Sequence, residues 1–279
     1  MRELCGIPDP ADRAQRASDL VGRYQAAMTE VSRIRREALD DMVSNGMTHA
    51  EIAAKIGTTR ARVTQLLSSG PRPERAFLGT GTLTIAIGGK TEQGRRDQAT
   101  QPVVSAEAVK AYETLSALAR SLSLQTQQEV VPPPGMVNLN RTNLIVLTSP
   151  RLLPFVGQVL ESDARYGFAK DGQGCWYLVD REAGIDYRPP QDVTGEPCDY
   201  AYVGRLPRPD GRGTFLYLAG VHAMGTLGAA RYLETHLDEL YRDLKTRRFS
   251  LLIRSDYDLE TREIVSAAPL TPLHRHEGV

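Results

Sequence analysis

Residues 11–68 contain no proline and only the glycines Gly22, Gly46 and Gly57; the stretch SSGPRPERAFLGTG then breaks the pattern. A proline-free, glycine-poor run favours helices, and a Pro/Gly cluster ends any helix that reaches it. From Leu83 onward, apolar strand-like runs alternate with helical patterns and proline-rich turns. The chain is therefore expected to fold as two domains. Residues 1–75 form an all-helical domain, and residues 76–279 form a larger α/β domain.

The first helical run carries Ala17, Leu20, Tyr24, Ala27, Val31, Ile34 and Ala38 at alternating steps of three and four, a heptad-like stripe. Such a stripe packs against another helix. The partner is either a helix of the same domain or the same helix of a second copy in a homodimer. Met42 and Val43 extend the apolar face up to Asn45-Gly46, a helix-ending pair.

The segment MTHAEIAAKIGTTRARVTQLLSSG, residues 47–70, holds two short helical patterns. Thr48 and Glu51 have capping-box spacing, and Ile52, Ala53 and Ile56 fall on one face. Gly57 supplies a turn, Thr59 caps the second helix, and Val63, Leu66 and Leu67 face inward. The segment resembles the helix-turn-helix of bacterial transcription regulators, of the sigma-factor region-four and response-regulator type. The resemblance implies that the second helix reads DNA. Thr48, Thr58, Thr59, Arg60, Arg62, Thr64 and Gln65 are the candidate DNA-binding residues. Arginine donates two hydrogen bonds to guanine, glutamine pairs bidentately with adenine, and threonines near a helix N-terminus suit phosphate oxygens. Residues 1–75 hold 12 Lys/Arg and 10 Asp/Glu, a net of +2, so one copy is expected to bind weakly. A dimer on paired half-sites would strengthen binding.

In the second part, LTIAIGGK and TNLIVLTSPR read as buried strands, and SAEAVKAYETLSALARSLSL reads as a helix capped by Ser105. TQQEVV is a further strand before Pro132-Pro133-Pro134, and LPFVGQVLES a short helix. GCWYLVD with GIDYRPP, and DYAYVGRLP with GTFLYLAG, read as hairpins, the second joined at Arg208-Pro209-Asp210-Gly211. A long helix and the strand FSLLIRSDYD follow. The expected fold class is α/β, three-layered and Rossmann-like, with a mixed sheet.

Three strands run into polar or glycine-bearing loops at Gly88-Gly89-Lys90, Thr148-Ser149-Pro150-Arg151 and GVHAMGTLG, residues 220–228. In open α/β sheets ligands collect at the carboxyl ends of strands. The candidate ligand-binding residues are Gly88, Gly89, Lys90, Thr148, Ser149, Arg151, His222, Gly225 and Thr226, with Thr226 placed at a helix N-terminus. No Walker loop or G-x-G-x-x-G pattern is present. Ligand binding, tight helix-on-sheet packing and catalysis by His222 all stay open. Gly228 and Ala229 are expected to be small so that the helix lies close on the sheet.

The formal net charge is zero, so a nucleic acid or membrane must be met by a local patch. MRELCGIPDP has no apolar core of a secretory signal, and no apolar run nears the roughly 20 residues that span a bilayer. Cys5, Cys175 and Cys198 make no C-x-x-C pair. A cytoplasmic protein is expected, with no membrane partner, no metal and no resident cofactor. The reading as a whole is a transcription regulator, a homodimer on double-stranded DNA, whose α/β domain senses a small phosphorylated or nucleotide-like effector. Two alternatives stay open. One is a nucleotide-processing enzyme with His222 and Asp199 or Asp180 as acid/base groups. The other is a C-terminal domain that only assembles protomers.

Overall fold

The computed structural model describes residues 2–91, 102–133 and 135–276; Pro134 of the triple-proline turn lies outside them. The chain divides into two compact units, Met1–Arg75 and Ala76–Val279.

The first unit is helical, with α1 (Arg2–Cys5), α2 (Pro10–Ser44), α3 (His49–Lys55) and α4 (Arg60–Ser69). Asp9 caps α2 by accepting from the Ala11 and Asp12 amides at 3.2 and 3.3 Å. Pro10 occupies the first turn, where its missing N–H costs nothing. Inside this unit Leu39, Ile52, Ala53 and Val63 are fully buried, with Met42, Met47, Leu66 and Leu67 packed around them. Ile56, expected in that core, is exposed, because the chain has already left α3 for the turn. Arg36 Nη1 donates to the Gly70 carbonyl at 2.5 Å and ties α2 to the end of α4.

The second unit begins with α5 (Arg75–Leu78), β1 (Thr82–Gly88), β2 (Lys90–Thr91), β3 (Pro102–Val103), α6 (Ala106–Ser121), β4 (Gln125–Val131) and β5 (Leu144–Leu147). It continues through α7 (Pro154–Leu160), β6 (Tyr166–Lys170), β7 (Trp176–Asp180), β8 (Ile185–Tyr187) and α8 (Pro190–Val193). It ends with β9 (Cys198–Pro207), β10 (Thr214–Gly220), α9 (Ala223–Leu244), β11 (Phe249–Tyr257), β12 (Ile264–Pro269) and β13 (His274–Arg275).

The main sheet is eight-stranded and mixed, in the order β12-β11-β9-β10-β5-β1-β4, with β13 added to β11. β4, β1, β5 and β10 run parallel, whereas β9, β11 and β12 alternate antiparallel. Side chains alternate across the strands. On one face Leu83, Ile85, Ile87, Ile145 and Leu147 meet Ala111, Leu115 and Ala119 of α6 and Leu227, Leu233 and Leu237 of α9. On the other, Ala86, Val146, Tyr202 and Tyr217 meet Val156 and Leu160 of α7 together with Tyr166 and Leu178. Tyr166 and Leu178 belong to a separate three-stranded antiparallel sheet, β6-β7-β8. The fold is α/β around a mixed sheet. Its second face is covered by one short helix and a small sheet instead of the helix layer of doubly wound folds.

Among the described residues no helix is long and apolar enough to cross a membrane.

Candidate functional site

β10, β5 and β1 lie side by side and parallel, with Leu218, Leu147 and Ile87 in register near their carboxyl ends. The chain leaving β1 reaches α6 on one face, and the chain leaving β5 enters α7 on the opposite face. Connections that diverge to opposite faces leave a crevice between the strands. A slot of about 40 Å³ occupies it, lined by Gly88, Lys90, Thr148, Ser149, Arg151 and His222 among others. It adjoins an open basin of about 400 Å³ that shares Lys90, Ser105, Arg151, His222 and Ala223. The slot holds little more than a water, but the basin falls in the range of small-ligand sites, about 300–1,000 Å³.

The loops singled out in the sequence therefore meet in one place. Gly88, Lys90, Thr148, Ser149, Arg151, His222 and Thr226 all line the slot, whereas Gly89 and Gly225 do not. Among the described residues Lys90 and Arg151 enter no ion pair, and both are exposed. The other charges of the basin are matched. Arg262 pairs with Glu107 at 2.7 Å, and His222 Nε2 lies 2.8 Å from Asp192 Oδ2.

The start of α9 differs from the expected anion cradle. The helix begins at Ala223, so Thr226 sits inside its first turn. The Thr226 amide bonds back to the His222 carbonyl at 3.4 Å, and its hydroxyl accepts from the Gly220 amide at 2.9 Å. The first-turn donors are taken by Asp199, a fully buried residue at the start of β9. Its Oδ2 accepts from the His222 amide at 3.1 Å and the Gly225 amide at 2.6 Å, and its Oδ1 from its neighbour Tyr200 at 2.8 Å. Burial pushes the Asp199 carboxyl up to about 6, while His222 and the donated N–H bonds pull it down. At neutral pH it is a carboxylate at the positive end of α9 and already neutralises that dipole. The positive character of the crevice rests on Lys90 and Arg151 instead.

The glycines also have internal reasons. A Cβ on Gly225 would stand 2.5 Å from the Tyr200 carbonyl and 2.7 Å from Asp199 Oδ2. On Gly228 it would stand 1.9 Å from Ser255 Oγ on β11. Tight packing therefore accounts for both positions without a ligand.

The acid/base partners proposed for His222 are redistributed. Asp180 is held by Arg165 at 3.2 Å in the small sheet and accepts from the Glu182 and Ala183 amides. Asp199 engages the backbone of His222, not its ring. The ring partner is Asp192 on α8, which no sequence spacing indicated. Cys198 is buried with its thiol pushed up to about 12, so it offers no thiolate.

In the helical unit, Thr48 and Glu51 form the full capping box of α3. Thr59 Oγ1 accepts from the Arg62 amide at 3.2 Å and caps α4. Gly57 takes φ +68° in the turn, where an L side chain would be strained. Arg60, Arg62 and Thr64 are exposed on α4, and Arg62 Nη1 donates to Gln65 Oε1 at 2.6 Å. Thr58 bonds through its amide to the Ala53 carbonyl at 2.9 Å and belongs to the turn. His49 Nδ1 lies 3.0 Å from Thr64 Oγ1, which adds an imidazole beside this polar face. Comparison of the chain with protein-family models, with curated proteins and with solved structures gives no match.

Proposed function

We propose that the chain is a dimeric, sequence-specific DNA-binding transcription regulator whose α/β unit binds a small phosphorylated or nucleotide-like effector. The observation that carries this reading is the α3–α4 pair. Its apolar side is buried, its turn and both helix starts are capped, and the exposed side of α4 presents Arg60, Arg62 and Thr64 from the first turn onward. Arg62 and Gln65 satisfy each other in the free chain; exchanging that contact for base edges conserves hydrogen bonds. The test is selection of bound duplexes from a random pool by the full chain. Enrichment of a paired half-site sequence is expected; recovery of unrelated sequences contradicts the reading.

Dimerisation through α2 follows from exposure. Val21, Tyr24, Met28, Val31 and Ile34 are each more than half exposed along this helix. The buried apolar cluster of the unit consists of Leu39, Ile52, Ala53 and Val63. Fully burying a large apolar side chain contributes roughly 1.5–3 kcal/mol, so covering the exposed half of each of these α2 side chains in a self-complementary stripe would add several kcal/mol. Replacing Val31 and Ile34 together by Asp should convert a dimer into a monomer in light scattering at micromolar concentration. An unchanged mass would remove α2 from the interface.

Effector binding is placed in the basin because Lys90 and Arg151 bring positive charge there without a carboxylate partner. Lys90→Ala with Arg151→Ala should abolish any rise in melting temperature caused by a nucleotide panel, while the melting temperature of the free protein stays unchanged. A rise that survives both substitutions places the effector elsewhere. An effector alters DNA binding only if it favours one arrangement of the dimer over another. The His222–Asp192 pair opening into the same basin supports a second reading, a nucleotide-processing enzyme. Product formation from that panel, lost in His222→Ala, would favour it.

A further inference from the structure

We propose that Asp163, His274 and His276 form a binding site for a divalent transition-metal ion, with Zn2+ as the representative, that clips the C-terminal strand to the entry of the small sheet. His274 and His276 alternate along and just beyond β13, so both side chains point to the same side. Their positions are set by backbone pairing. His274 stands opposite Ser250 of β11, and the His276 amide donates to the Arg248 carbonyl at 3.2 Å. Asp163 arrives from the loop between α7 and β6 and is fully buried.

One carboxylate oxygen of Asp163 and one nitrogen of each histidine lie within 4.8 Å of one another. His276 Nε2 is 3.8 Å from Asp163 Oδ2, and the two imidazole centroids are 4.8 Å apart. Ligands about 2.0–2.2 Å from a tetrahedral zinc lie about 3.4 Å from each other, so small imidazole rotations close the site.

The surroundings hold the donors in place. Asp163 Oδ1 accepts from the Arg165 and Tyr166 amides at 2.9 and 3.1 Å, and Oδ2 from the Tyr202 hydroxyl at 2.8 Å. These bonds orient the carboxylate and leave lone pairs for a metal. Ser250 Oγ sits 3.1 Å from His276 Nε2 and would give up that nitrogen to the ion. Two imidazoles and one carboxylate suit zinc and its neighbours and are a poor set for magnesium or calcium. A bound ion would add a further link between β13 and the entry of the small sheet, beside the Tyr166 hydroxyl bond to the Pro272 carbonyl at 3.0 Å.

The test uses the tag-free full chain, stripped with chelator and dialysed against Zn2+. One equivalent of zinc should be retained, with a rise in melting temperature. His274→Gln and His276→Gln should each lose both effects, while their zinc-free melting temperatures match the zinc-free wild type. His222→Gln, which breaks the other imidazole–carboxylate pair, should retain zinc. Failure of the wild type to retain zinc, equal retention by the His274 and His276 variants, or loss in the His222 variant would each overturn the proposal.

Discussion

Asp199→Ala is expected to destabilise the α/β unit by about 3–5 kcal/mol, because it orphans three amides at roughly 1–3 kcal/mol each before water enters. Two of those amides, from His222 and Gly225, begin α9, which together with α6 covers one face of the sheet. The carboxylate also opposes the positive end of that helix, a contribution that Ala cannot replace. Urea unfolding of the full chain, followed by the fluorescence of the single tryptophan, Trp176, measures the loss. Asp199→Asn should recover part of it, since one amide oxygen still accepts while the NH2 group faces a backbone donor. The pH dependence has a definite sign. The folded carboxyl titrates at about 6, above its ordinary 3.8, so ionising it costs more in the folded state. Its contribution to stability is greatest below about pH 4 and falls as pH rises to about 6. Asp199→Ala should lack that slope. A variant as stable as wild type, with the slope intact, would show that Asp199 does not hold the start of α9.

Gly228→Leu is expected to prevent close contact between α9 and β11 and to leave the α/β unit partly unfolded. Even a methyl group at this position would overlap Ser255, whose side chain is fully buried and has no flexible end to move away. Overpacking by extra methylenes commonly costs about 1–3 kcal/mol, and here the first carbon already clashes. A compensating pair separates this cause from helix propensity. Gly228→Ala alone should lower the melting temperature, and adding Ser255→Gly should restore most of it by vacating the space. Ser255 Oγ has no hydrogen-bond partner, so its removal orphans nothing. Absence of rescue would place the damage outside this contact.

Local features were the most legible in the sequence. The LIVL run of β5 and the FLYLA run of β10 are continuously apolar because both faces of these strands are buried. β1 and β11 are mostly buried runs interrupted by polar residues, and α2, α6 and α9 repeat at helical spacing. The glycine and polar loops after β1, β5 and β10 pointed to one strand-end crevice, because parallel neighbours must end together. Long-range relations were not legible. Asp192 sits on a four-residue helix with no motif and reaches the His222 ring only through the fold. Asp199 stands in the sequence as a candidate acid/base group beside His222, yet its carboxylate caps a helix more than twenty positions away. The glycines around Thr226 mark a helix start there, whereas α9 begins at Ala223 with its first amides held by the buried Asp199. The short strands β6, β12 and β13 escaped notice because their form depends on partners. His274 and His276 gain a common neighbour only when β13 joins β11.

The central claim is that α4 reads DNA. The most direct measurement is fluorescence anisotropy of the full chain on its own selected duplex, with Arg60→Ala and Gln65→Ala compared at fixed salt. Each substitution should cost about 1–3 kcal/mol and relax preference at one base position. Wild-type affinity and wild-type preference in both variants would contradict the account.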